Sequence, residues 1–272
     1  NLPEENIGIV ENQGFEMQLG HGGRSKSGDF TYNLAGNFMF AKNKVVFMDE
    51  TPQPEGYEYL YLTGHPMGSS LYYQCIGINR TEEDLKNYPQ MAGAGLGDYI
   101  YADIDGNEKI DAKDMLRSDL NTIPQIVFGL TGNFQYKNFD LSILFQGQGL
   151  ARFHYVPLQA PLEGNITEEM ATQSWTLDRP DAKYGRINST NNRKESTMWL
   201  RNAAFLRLKN VELGYNFSGK VLKGAGIKGL RLYIGGYNLF TISGLKELDP
   251  ETNNTATYPL MRVFNTGVKV TF

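Results

Sequence analysis

The chain has 272 residues, with 26 Lys and Arg against 30 Asp and Glu, for a formal net charge of −4. That balance leaves no basic footprint for nucleic acid, and no apolar run approaches the roughly 18 residues a membrane helix needs. Aromatics at 12%, 30 Gly and a mean hydropathy of −0.41 suit many strands joined by tight turns, not a helical protein. The length allows one large β domain or two small ones. Cys75 is the lone cysteine, which excludes a disulfide framework and a cysteine metal cluster. The start, Asn1-Leu-Pro-Glu-Glu5, has neither a basic nor an apolar signal region. For a secreted or outer-membrane protein, Asn1 is then not expected to be the translation start.

Seven segments alternate with the period of a strand. The first is short, Phe15-Glu-Met-Gln-Leu19, within a strand expected near 13–21. In the second, 30–46, Tyr32, Leu34, Gly36, Phe38 and Phe40 run out of phase with Thr31, Asn33, Ala35, Asn37 and Met39. The third, 124–136, sets Phe128, Leu130, Phe134 and Tyr136 against Thr131, Asn133 and Gln135. The fourth, 139–149, sets Phe139, Leu141, Ile143 and Phe145 against Asp140, Ser142, Leu144 and Gln146. The fifth, 198–217, ends with Val211, Leu213, Tyr215 and Phe217 against Asn210, Glu212, Gly214 and Asn216. The sixth is 228–241. In the seventh, 260–272, Phe264, Thr266, Val268, Val270 and Phe272 share one face, and Asn265, Gly267, Lys269 and Thr271 the other.

The connections alternate too. Those around 22–28, 137–138 and 218–228 are short, whereas 47–123, 150–197 and 242–259 are long. Outer-membrane barrels combine short periplasmic turns with long extracellular loops, and their strands alternate between lipid and a wet lumen. A soluble sandwich has no reason to sort its loops in this way. The terminal Phe272 suits an interfacial aromatic girdle. Seven strands do not close a single-chain barrel, and an open sheet would leave bare edges in hydrocarbon. The expected fold is therefore all-β: an antiparallel transmembrane β-barrel segment of about seven strands of a larger barrel, with the long connections outside the cell. Within those connections, Glu82 to Asn87 and Ile166 to Leu177 are expected to form short surface helices.

One motif has metal-ligand spacing, Asp103-Ile-Asp-Gly-Asn-Glu-Lys-Ile-Asp-Ala-Lys-Asp114. With Asp103 at position 1, Asp105, Asn107, the Lys109 carbonyl, Asp111 and Asp114 take the remaining ligand positions of an EF-hand-type loop, which supplies the six or more hard oxygens Ca²⁺ requires. Two features depart from that pattern. Glu108 replaces the glycine of position 6, with Gly106 nearby, and Asp114 is a shorter arm than glutamate. An acidic solvated turn is the competing reading. No catalytic constellation is evident: His21, His65 and His154 lie in different segments, and Gly93-Ala-Gly-Leu-Gly97 lacks a βαβ context. Glu247 and Asp249 are a conceivable glycosidase pair, but a solvated loop accounts for them better. Trp175 and Trp199 are read either as sugar-stacking rings or as interface-belt residues.

Several blocks resemble one family. They are Gly64-His-Pro-Met-Gly-Ser-Ser-Leu-Tyr72, Tyr101 to Asp111, Pro124 to Gly147, Phe205-Leu-Arg-Leu-Lys-Asn-Val-Glu-Leu-Gly-Tyr215 and Leu232-Tyr-Ile-Gly-Gly-Tyr-Asn-Leu-Phe240. In this order, and over most of the chain, they resemble the C-terminal barrel of SusC/RagA-type TonB-linked outer-membrane proteins. The resemblance implies an importer of oligosaccharides or peptides in the outer membrane, driven by TonB and lidded by a SusD-like surface lipoprotein. It implies no enzyme. The plug domain and TonB box of that family would lie N-terminal to Asn1. The family's acidic loop has glycine where Glu108 stands. The alternatives are a calcium-dependent adhesin or glycan-binding β module, and a secreted carbohydrate-active enzyme.

Overall fold

A computed structural model describes residues 8–155, 166–217, 226–246, 248–252 and 257–272. Among them the strands are β1 (Gly8–Arg24), β2 (Phe30–Met48), β3 (Ser70–Tyr73), β4 (Cys75–Ile78), β5 (Tyr99–Tyr101), β6 (Met115–Ser118), β7 (Ile126–Tyr136), β8 (Phe139–Gly149), β9 (Arg152–His154), β10 (Leu200–Asn202), β11 (Phe205–Asn216), β12 (Gly229–Ser243) and β13 (Val263–Thr271). Two short helices, α1 (Glu82–Asn87) and α2 (Glu168–Gln173), and four single-turn 3-10 helices are described besides the strands. The chain is all-β, as the alternation predicts. It divides into two compact units: 1–11, 43–121 and 153–201 form one, and 12–42, 122–152 and 202–272 the other.

The principal sheet has seven strands in the order β1-β2-β7-β8-β11-β12-β13. The registered pairs, from β2·β7 through β12·β13, are antiparallel, so each strand lies beside the next long strand in sequence. Local chemistry sets the tight turns. Ser25 N–H bonds the Phe30 carbonyl at 2.8 Å across a bend whose Gly28 has φ +80. Lys137, at φ +51, opens the two-residue hairpin between Tyr136 and Phe139. The connection at 218–225 lies outside the described residues.

The strand expected over 198–217 is interrupted. Leu200–Asn202 pairs with β9 in a separate two-stranded sheet, and Phe205 starts the long strand. Between them Ala203 donates to the Ala151 carbonyl at 3.0 Å, and Ala204 N–H is taken by Asn202 Oδ1 at 2.9 Å. A second irregularity falls between Leu208 and Asn210, where Lys209 is the extra residue against β8 and Asn238 on β12 adopts φ +53.

Register fixes the two faces of the sheet, because side chains alternate with period 2. Tyr32, Phe134, Leu141, Leu213, Ile234 and Thr266 form one row across β2, β7, β8, β11, β12 and β13. Phe38 and Phe128 pair on the same face, joined by Phe15 of β1, whose ring stacks on Phe38 at 5.6 Å. This face is apolar, and much of it is open: Leu19, Leu130, Ile234, Phe264 and Val268 are all exposed. The opposite row holds Asn33, Asn133, Ser142, Glu212, Gly235 and Asn265.

The other unit folds the long connections around an aromatic core. Tyr73, Tyr99, Tyr101, Met170, Trp175, Tyr184 and Trp199 are buried together. Trp199 stacks nearly parallel on Tyr184 (centroids 6.3 Å, 4°) and meets Tyr99 edge-on, while its indole N–H donates to the Asn192 carbonyl at 3.0 Å. Asn192 is buried and ties three segments: its Oδ1 accepts from Tyr99 N–H at 2.7 Å, and its amide donates to the Gly97 and Arg186 carbonyls at 3.0 Å each. Gly97, at φ +81, also leaves room for the Trp175 ring, which a Cβ there would strike. Helix α1 starts on a capping box: Thr81 Oγ1 accepts from Asp84 N–H, and Asp84 accepts from Thr81 N–H. Helix α2 is shorter than the expected 166–177, because Trp175 N–H leaves the helix to bond the Tyr184 carbonyl at 2.9 Å.

Candidate functional site

The polar face of the sheet carries paired charges. Arg231 of β12 reaches across β11 to Asp140 of β8 and bonds Glu212 at 2.8 Å on the way. Gly214 makes the crossing feasible, because a Cβ there would collide with the guanidinium. Asn216 adds an amide bond to Asp140 at 2.7 Å, and Ser142 donates to Asn133 at 2.9 Å. Farther along β11, Arg207 and Lys209 bond Asp249 and Glu251 at 2.7–2.9 Å. One face of a single sheet thus holds fixed ion pairs, and its reverse holds Leu, Ile, Val and Phe. Unlike faces of this kind are the pattern that strands of a transmembrane β-barrel carry.

The acidic loop folds in the unit of long connections. Carboxylate oxygens of Asp103, Asp105 and Asp114 lie within 4.8 Å of one another. Asp103 is wrapped by backbone donors, taking Gly106 N–H at 2.8 Å on Oδ1 and Glu108 N–H at 2.8 Å on Oδ2. Asp114 is buried and accepts Ile104 N–H and Asp111 N–H, each at 2.8 Å. Asp105 accepts the Tyr57 hydroxyl at 2.8 Å. That bond holds its carboxyl below the usual range and pushes the Tyr57 phenol up.

The other three expected ligands are engaged differently. Asp111 caps the turn at 112–114 by accepting Lys113 N–H at 2.8 Å, Asn107 Oδ1 accepts Lys109 N–H at 2.8 Å, and Lys109 is the donor in that bond. Both Gly106 (φ +72) and Glu108 (φ +60) take the left-handed conformation, so glutamate holds the bend that glycine usually provides. Three hard carboxylates converging at this separation fit an oxygen-seeking divalent ion such as Ca²⁺.

The remaining candidates are structural. Trp175 and Trp199 are core residues, so neither stacks on sugar nor forms a belt. Glu247 lies outside the described residues, and Asp249 is bound to Arg207. The histidines stay apart: His21 contacts Tyr32 Oη at 3.1 Å, His65 sits 2.7 Å from Asp119, and His154 lies 3.1 Å from Glu195. The Arg231 and Arg207 clusters escape sequence reading, because their partners are 19 to 91 residues away.

No family model matches the chain. Over 98% of its length it is 27% identical to TonB-dependent receptor P3 of Formosa agariphila and 25% identical to TonB-dependent receptor SusC of Bacteroides thetaiotaomicron. It spans 29% of the first and 27% of the second. Among solved structures, the RagAB peptide transporter superposes over 98% of this chain and 30% of the matched one, with a TM-score of 0.76 at 20% identity. The same importer in its closed-closed state gives 0.72 at 22% identity, again over 98% of this chain and 30% of the matched one. Nearly the whole sequence is thus similar to part of TonB-dependent receptors that include SusC, and its fold is that of part of the RagAB peptide transporter.

Proposed function

We propose that the chain is part of a TonB-dependent importer of the bacterial outer membrane that takes up oligosaccharides or peptides. The observation that carries this reading is the two-faced sheet: an exposed apolar face lies against lipid, and a charge-paired face lines the aqueous path. The short turns face the periplasm and the long connections the exterior. A SusD-like lipoprotein covers the outer opening, and TonB supplies force through a part of the receptor outside these residues. The role is transport, not catalysis. The exposed apolar face argues against a soluble adhesin or glycan-binding module, because such a patch in water is an aggregation liability. The test is uptake of fluorescent oligosaccharides and peptides by cells carrying the intact receptor. Uptake of one class, lost on receptor deletion and on inactivation of TonB, is expected. A receptor that fractionates as a soluble protein would overturn the reading.

Within the same reading, Asp103, Asp105 and Asp114 hold a Ca²⁺ that stiffens the loop between Gly97 and Pro124. Bound there, the ion supplies charge neutralisation and no redox chemistry. Limited proteolysis of the intact receptor in Ca²⁺ and in chelator checks this. Protection that depends on Ca²⁺ and is lost in Asp103→Ala is expected; identical cleavage in both buffers would refute it.

A further inference from the structure

The third long connection lies against the polar face. Arg207 stands directly opposite Thr241 on β12, and its guanidinium is closed on every side. Its Nε donates to Thr241 Oγ1 at 2.9 Å, Nη1 to Glu251 at 2.8 Å and Nη2 to Asp249 at 2.7 Å. The side chain is 2% exposed. The β11 bulge brings Lys209 to the same target, with Nζ at 2.8 and 2.9 Å from the two Glu251 oxygens. From β8, Gln148 donates to the Pro250 carbonyl at 3.4 Å. Asp249 is held in turn by Glu251 N–H at 3.0 Å and Leu260 N–H at 3.3 Å.

Two strands, β8 and β11, thus grip one tripeptide, Asp249-Pro-Glu251, with Thr241 of β12 fixing the Arg207 fork. Sheet pairing does not need this grip, since β11 is already hydrogen-bonded to β8 on one side and β12 on the other. The planar fork of arginine suits two carboxylates at once, and Pro250 has a restricted backbone to lose on ordering. Two cations meet two anions, so the cluster adds no net charge to the wall.

We propose that residues 249–252 are a strap latched onto the lumenal wall, and that Arg207 is the positioning residue holding it in the substrate path. The proposal rests on the reading that the polar face lines the lumen. The strap narrows that path from one side, and its partly exposed Thr252 faces a passing solute. Loss of either half of the latch leaves a buried charge without its partner, which the strap relieves by leaving the wall.

The experiment uses the intact receptor in cells, with Cys75→Ala and Thr252→Cys, and measures labelling of the new thiol by a membrane-impermeant maleimide. Arg207→Met should speed labelling at least tenfold, as should Asp249→Asn combined with Glu251→Gln. Arg207→Lys, which keeps charge but loses the fork, should fall between. Glu212→Gln, on the same wall but bonded to Arg231, should match the parent. Unchanged labelling in assembled Arg207→Met, or an equal rise with Glu212→Gln, would overturn the latch. So would failure of both latch variants to assemble, since the cluster would then be part of the wall's folding. Labelling that requires outer-membrane permeabilisation would overturn the assignment of faces, while its dependence on Arg207 would still report the latch.

Discussion

Ile234→Arg tests the assignment of faces most directly. Ile234 lies inside β12, between Leu213 of β11 and Thr266 of β13, and is 60% exposed. If that exposure is to hydrocarbon, arginine there costs about 2–4 kcal/mol near the bilayer midplane, or about 30- to 900-fold in the folding equilibrium. Asn265 is the control: it pairs with Gly235, the residue next to Ile234, but points to the opposite face. Asn265→Arg on the hydrated side should cost well under 1 kcal/mol. The assay is urea unfolding of the intact receptor in lipid vesicles, followed by the loss of heat-modifiable mobility on gels. The expected result is a midpoint lowered for Ile234→Arg and unmoved for Asn265→Arg. Equal midpoints, or the reverse order, would refute both the face assignment and the import proposal built on it.

Three further outcomes concern the unit of long connections. Trp199→Ala removes a fully buried ring, its stack on Tyr184 and its bond to Asn192, and should cost about 3–5 kcal/mol, read as a shifted fluorescence-detected urea transition of the intact receptor. Burial pushes the Cys75 thiol up to about 11 from an ordinary 9.0, so at pH 8 its reaction with iodoacetamide should be about 100-fold slower than after denaturation. Because the raised value belongs to the folded state, the fold penalises the thiolate, and stability should fall as pH rises from about 9 toward about 11.

The strands were legible because a strand with unlike faces writes period 2 into its own residues. Phe139, Leu141, Ile143 and Phe145 alternate within seven positions, and register then carries that face across the sheet. The break before Phe205 was not legible, since Ala203 and Ala204 resemble an ordinary small-residue stretch of strand. The acidic loop was half legible. Spacing gathered Asp103, Asp105 and Asp114, but it could not show Asp111 spent on capping the turn that follows. Trp175 and Trp199 misled for a physical reason. Their neighbours Tyr99, Tyr101 and Tyr184 come from separate segments, and a core assembled at such separations has no period to read. The Arg207 latch is hidden in the same way, because Asp249 and Glu251 look like solvated acids until the chain folds them back.

The two faces also constrain what must surround the sheet. A soluble sandwich would cover its apolar face with a second sheet and leave charges toward water. Here both conditions fail, for Ile234 and Val268 are open while Arg207 is buried under a strap on the charged side. In hydrocarbon, the outer edges of β1 and β13 would leave backbone donors and acceptors unpaired, at several kcal/mol for each group. If the apolar face lies against lipid, as proposed, the ladder needs further strands to satisfy those edges. The sequence relatives are more than three times as long as the part of them that this chain matches. With lipid on the apolar face, the seven strands would be a stable wall only within a closed barrel, and the import proposal and the latch both presuppose that closed assembly.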